Sequence, residues 1–211
     1  MKHSNKLTAL IAVLILVFVA FFAANAQEKQ NKSVEVQVAQ IRQISAATNK
    51  RIDAGLKDRN VGFHFATWTI GGVRDTQPWA AVGTMEQRTE VWFDGEPDPE
   101  AEANSPDADP AKLVRKITTS YKGAADLHSR TESMFDDSGD LVFVFSSSDI
   151  ESENRKMIER RFYFAKGKLI RIARDGKNTD VKFSEDDAKT ARDEMKMANE
   201  LQNDFATIFG K

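Results

Sequence analysis

Between Val61 and Arg174 the chain is written as short runs of aromatic and β-branched residues, each closed by glycine or aspartate. Runs of that length, punctuated in that way, read as antiparallel strands joined by turns. Phe63–Trp68 is one such run, and Gly71-Gly72 follows it. From Thr84 to Phe93 the letters alternate. Met85, Val91 and Phe93 fall on one face; Glu86, Arg88, Glu90 and Trp92 fall on the other. Leu113–Tyr121, Ala125–Phe135, Met157–Phe164 and Lys168–Arg174 continue the pattern, and Ala165-Lys166-Gly167 has the length of a tight hairpin. Leu141–Phe145 is apolar at every position, as a strand buried on both faces would be.

One phrase is used twice. Arg88-Thr-Glu-Val-Trp-Phe-Asp94 returns as Arg130-Thr-Glu-Ser-Met-Phe-Asp136. Ile158-Glu-Arg-Arg-Phe-Tyr-Phe164 repeats its sense without its letters, and Gly139-Asp-Leu-Val-Phe matches Gly167-Lys-Leu-Ile-Arg. The unit is a strand, an aromatic, a glycine turn and a strand. An arginine and a glutamate two residues apart in a strand share a face. The expectation is that they pair with opposite charges on neighbouring strands, so the repeat needs no chemistry to explain it.

Two helices frame the strands. Val34, Val38, Ile41, Ile44 and Ile52 recur at helical spacing, with Gly55 as the expected stop. At the other end Ser184 is a good N-cap with Asp187 three residues on. Ala191, Met195, Ala198, Leu201, Phe205 and Ile208 form one stripe, and Gly210 follows as a C-terminal glycine. The predicted fold is α+β: a curved antiparallel sheet of six to eight strands packed with an N-terminal and a C-terminal amphipathic helix. Asp94–Pro110 interrupts it with seven acidic residues, no basic one and four of the five prolines, and predicts a mobile loop.

Residues 1–26 read as an export signal. Lys2, His3 and Lys6 precede an apolar run, Leu7–Ala24, broken only by Thr8, and Ala24-Asn25-Ala26 supplies small residues for cleavage before Gln27. An uncleaved anchor is the competing reading, since the run is close to spanning length. Residues 27–211 then form one domain. Loss of Lys2 and Lys6 leaves 28 basic side chains against 32 acidic, a net charge of −4, without the basic patch that nucleic-acid binding needs. There is no cysteine, so the core alone must hold the fold.

The run Phe135-x-x-x-Gly139-x-Leu141-x-Phe143-x-Phe145, with Arg161-Phe-Tyr-Phe164 and Gly167-Lys-Leu-Ile-Arg171, resembles a group of uncharacterised exported bacterial proteins. These pair an N-terminal helix with antiparallel strands of this type. The resemblance covers residues 113–175 and lends no activity and no site residue.

Reaction centres are hard to find. Cysteine chemistry is excluded, and no nucleophile elbow, phosphate-binding glycine loop or His-Glu-x-x-His motif occurs. Past residue 26 the histidines are His64 and His128. Brought together with a carboxylate they could bind zinc, or serve a hydrolase, but lone strand histidines are more often structural. Asp136, Asp137, Ser138 and Asp140 around Gly139 offer oxygens for calcium, yet these are also the residues that turns select.

The chain therefore reads as an exported, non-catalytic protein of the periplasm or cell surface, without metal or cofactor. It is expected to bind an envelope ligand or protein partner through its sheet. It touches no nucleic acid, and meets a membrane only through the first segment if that segment stays uncleaved. A more specific version is a carrier of lipid or acyl chains, with Phe143, Phe145, Phe162, Phe164 and Phe205 lining its interior; the competing reading puts these five in a closed core.

Overall fold

A computed structural model of the chain describes residues 32–58, 60–71, 85–95, 109–123, 127–149, 156–180 and 182–209. The expected export signal and most of the acidic proline-rich stretch lie outside the described residues. Met1–Ala39 groups as one compact unit and Gln40–Lys211 as another. Of the first, residues 32–39 are described; they are helical, with Val34 and Val38 buried.

The second unit holds a single curved, open sheet of eight antiparallel strands: β1 (His64–Gly71), β2 (Glu86–Phe93), β3 (Val114–Lys122), β4 (His128–Phe135), β5 (Leu141–Ser148), β6 (Ile158–Ala165), β7 (Lys168–Arg174) and β8 (Lys177–Thr179). Their order in the sheet is their order in the chain. Within this unit helix α1 covers residues 40–57, and helix α2 (Glu185–Phe209) follows the strands.

The turns follow from local chemistry. Lys166 and Gly167 both have positive φ, 51° and 68°, as do Asp175 and Gly176, 48° and 80°. Each pair makes a two-residue hairpin whose twist matches that of its strands. The second of these forms β8, a strand missing from the sequence expectation although Asp175-Gly176 is a strong hairpin signal. Asp136 fills the β4–β5 turn, where its Oδ1 accepts the N–H groups of Ser138 and Asp140 at 2.9 and 3.0 Å. That carboxylate is engaged in holding the turn.

Across antiparallel strands, opposite residues share a face. One row reads Ala66, Val91, Ile117, Ser133, Val144, Phe162, Ile172. Helix α2 packs on this face with Ala191, Ala198 and Phe205, and Phe205 meets Phe93 at 4.7 Å between ring centroids. Burying each such Phe contributes about 1.5–3 kcal/mol. The start of α2 is capped as expected: Asp187 N–H donates to Ser184 Oγ at 3.0 Å, and the hydroxyl donates to Asp187 Oδ2 at 2.8 Å. Ile208, the last residue of the expected stripe, is exposed. Gln202 lies in its place in the core and donates to the carbonyls of Ala111 and Gly139, tying α2 to two turns.

The opposite face presents the row Trp92, Lys116, Met134, Phe143, Tyr163, Arg171. The α1 segment from Gln40 lies along it. Arg42 sits over the Tyr163 ring, Asn49 accepts from Lys116, and Arg51 pairs with Asp94. Gly55 does not stop this helix, which continues to residue 57. A Cβ on Gly55 would lie 2.5 Å from the Cα of Gly62. The glycine permits close approach of two backbones, which spacing along one helix cannot reveal.

Candidate functional site: a groove between the first helix and the first hairpin

The Arg-Thr-Glu repeat lies on the α1 side of the sheet, with β3 between its two copies. Arg88 and Arg130 occupy one row with Ser120; Glu90 and Glu132 occupy the next with Thr118. Contrary to the sequence expectation, each arginine pairs within its own strand. Arg88 meets Glu90 at 2.9 Å, Arg130 meets Glu132 at 2.9 Å, and Arg161 meets Glu159 at 3.1 Å. The spacing of two on one face makes the in-strand pair reachable, and the intervening β3 keeps the two copies apart. The cross-strand charge partner is Lys116, whose Nζ lies 2.6 Å from Glu132 Oε2 and 3.0 Å from Asn49 Oδ1.

Burial of the Glu132 carboxyl acts to raise its pKa. Hydrogen bonds and charge from Lys116 and Arg130 outweigh that and hold it below the ordinary glutamate range. Its role is to clamp α1, through Asn49 and Lys116, onto the middle of the sheet.

Beside the clamp a groove of about 560 Å³ opens between α1 and the first hairpin. Ile52, Gly55 and Leu56 of the helix line one side. Phe63, His64 and Phe65 line the start of β1, and Arg88, Glu90 and Trp92 of β2 complete it. Phe65 and Trp92 meet at 5.3 Å between centroids, tilted by 49°, and Lys116 sits 5.7 Å from the Trp92 ring on the clamp side. Arg51 stacks 4.0 Å over Phe63, which fixes that ring at the mouth. The surface is unusually apolar for one facing water: Leu56 is 81% exposed and Phe65 48%. The Arg88–Glu90 pair and His64 are the polar elements of the lining, and the pair sets one donor group and one acceptor group side by side.

The five phenylalanines proposed from sequence do not share one site. Phe162, Phe164 and Phe205 are fully buried in the core beneath α2. Phe143 and Phe145 are half-buried on the other face, where Phe143 meets Tyr163 at 5.2 Å and Arg161 stacks over Phe145 at 5.1 Å. None of the five lines the groove. The sequence did mark Trp92, as the aromatic on a charged face; its partners Leu56 and Phe65 carried no signal, because only the packing of α1 over the hairpin assembles them.

The two histidines are also kept apart. His64 is on β1 and shares a face with Phe93; His128 is on β4, three strands further in and on the opposite face. His128 has an acidic neighbour, Asp149, at 3.7 Å. That carboxylate accepts the backbone N–H of His128 at 2.7 Å, and the N–H of Asp149 donates to the carbonyl of His128. The pair fastens the ends of β4 and β5. Among the described residues no group of three His, Asp or Glu side chains could hold a metal ion, and no helix is long and apolar enough to cross a membrane. Comparison of the chain with protein-family models, with curated proteins and with solved structures gives no match.

Proposed function

We propose that this is an exported, non-catalytic binding protein whose ligand lies in the groove between α1 and the first hairpin. The observation that carries the reading is the grouping of the exposed Leu56 and Phe65 with the half-buried Trp92 around one concave space beside the Arg88–Glu90 pair. A volume of about 560 Å³ falls within the range of small-molecule sites. Apolar walls with a single polar pair suit an amphipathic ligand: an aromatic or aliphatic body against Phe65 and Trp92, and a polar head that accepts from Arg88 and donates to Glu90. This places binding at the end of the sheet, and the acyl-carrier version built on Phe162, Phe164 and Phe205 loses support because those rings fill packed core.

The test combines two measurements. Native mass spectrometry of protein isolated gently from the cells that make it, beside the same sample unfolded, should show extra mass that unfolding removes. Titration with anilinonaphthalene sulfonate, an apolar ring system with an anionic head, should give fluorescence that Phe65→Asp and Trp92→Ala each cut at least tenfold in affinity. Bare mass together with unchanged dye binding in both variants would refute the groove as a site.

A further inference from the structure

The two edges of the sheet are built differently. β8 is three residues, Lys177-Asn178-Thr179, all exposed, and it carries a lysine. A short charged edge of this kind resists pairing with another chain. β1 is eight residues, His-Phe-Ala-Thr-Trp-Thr-Ile-Gly, with no proline, no Lys, Arg, Asp or Glu, and no register break against β2. Its outer side ends the sheet, and among the described residues no strand pairs with it. Ile70 is 55% exposed on one face of this strand and Phe65 48% on the other, with Val61 exposed just before it. Within the strand itself no proline, charge or bulge protects the edge.

We infer that β1 pairs with β1 of a second copy of this chain, antiparallel and about a twofold axis, to give a dimer with one continuous sheet. Two observations select this occupant. Of the two edges of this sheet, β8 is too short, at three exposed residues with a lysine, to pair along β1, so the head-to-tail pairing that would run on into a fibre is disfavoured. The strand is also self-compatible. Residues opposite each other across an antiparallel pair share a face, so the twofold passes through a residue. Through Thr67 it sets Phe65 against Thr69 and Ile70 against His64. Through Trp68 it sets Ala66 against Ile70 and one Trp68 ring beside the other. Neither arrangement opposes two lysine, arginine or acidic side chains. Under this pairing the axis is perpendicular to the sheet, so both grooves lie on the same side of the dimer. The inference does not rest on what the groove binds.

The experiment is sedimentation of the full chain over a range of concentrations up to roughly 100 μM, where a micromolar self-affinity leaves mostly dimer. Thr69→Lys with Ile70→Lys changes two exposed side chains outside the groove lining, one per face. The expected result is a wild-type dimer and at least a tenfold weaker dimer in the lysine variant, with unchanged far-UV circular dichroism. If the lysine variant loses its fold, Ile70→Lys alone reads the same junction. Lys177→Ala on the opposite edge should leave the dimer intact. A wild-type chain that sediments as a monomer throughout overturns the inference and opens the edge to a strand from a different protein. A lysine variant that dimerises like wild type, or an equal loss in Lys177→Ala, overturns it as well.

Discussion

The clamp between Lys116 and Glu132 should respond unequally to removal of its two halves. The Lys116 side chain is 9% exposed, the Glu132 side chain 19%. Glu132→Ala leaves an ammonium under α1 with Asn49 as its hydrogen-bond partner, beside the Trp92 ring. Breaking one side of a buried pair costs about 3–5 kcal/mol, and the partial exposure here sets the expectation at the lower end, about 3 kcal/mol. Lys116→Met differs. The thioether occupies the lysine stem's volume, and Glu132 keeps Arg130 at 2.9 Å and more water, so about 1–2 kcal/mol is expected. The double variant removes both charges together and should cost less than the sum of the two by at least 1 kcal/mol. Urea unfolding followed by circular dichroism measures all three. The midpoints should shift in this order while the slope stays constant, since the surface exposed on unfolding is unchanged. Equal costs for the two single variants, or strict additivity in the double, would refute the account of Glu132 as the partner that neutralises a buried lysine.

The same clamp sets a pH dependence. The pKa of Glu132 is lower folded than unfolded, so the unfolded chain takes up the proton first as pH falls. Its contribution is present above the unfolded glutamate value of about 4.3 and is lost as pH falls through the folded value. The stability difference between wild type and Glu132→Gln should be constant near neutrality and shrink below about pH 4.5, as measured by thermal melts across pH; a difference that grows on acidification would contradict the direction of the shift. Phe205→Ala should cost about 3–5 kcal/mol, because Phe205 is fully buried against Phe93, whereas Phe145→Ala on the half-buried face should cost less than half as much in the same denaturation assay.

Most of the architecture was legible because each strand declares itself locally. Alternation from Glu86 to Phe93 placed Val91 and Phe93 on one face and Trp92 on the other, as the register shows. Ser184 and Asp187 marked the start of α2 for the same reason: a cap is a contact over three residues. What could not be read depends on contacts between distant segments. Gln202 appears to break an apolar stripe until Ala111 and Gly139 supply its acceptors. Gly55 looks like a stop until Gly62 arrives beside it. Spacing placed Arg88 and Glu90 on one face but led to the expectation of cross-strand partners; that each arginine pairs within its own strand, with β3 between the two copies, is known only from the structure. The groove is the extreme case. Leu56 and Phe65 belong to different elements, and neither carries any mark of function by itself.

The sheet follows the chain strand by strand, so each strand pairs with its neighbour in sequence and the pairing can form as the polypeptide emerges during synthesis. The element that covers their apolar face does not share this advantage. Ala191, Ala198 and Phe205 lie beyond the last strand, and Gln202 must find Ala111 across a sequence separation of 91 residues. Until that late helix arrives, a nearly complete sheet exposes the side chains of Val91, Ile117, Val144 and Phe162 to every other chain nearby. The hazardous interval in this protein's assembly is therefore a matter of timing. It lasts from the completion of the strands to the docking of α2, and a holdase acting in that interval would protect the nascent chain best.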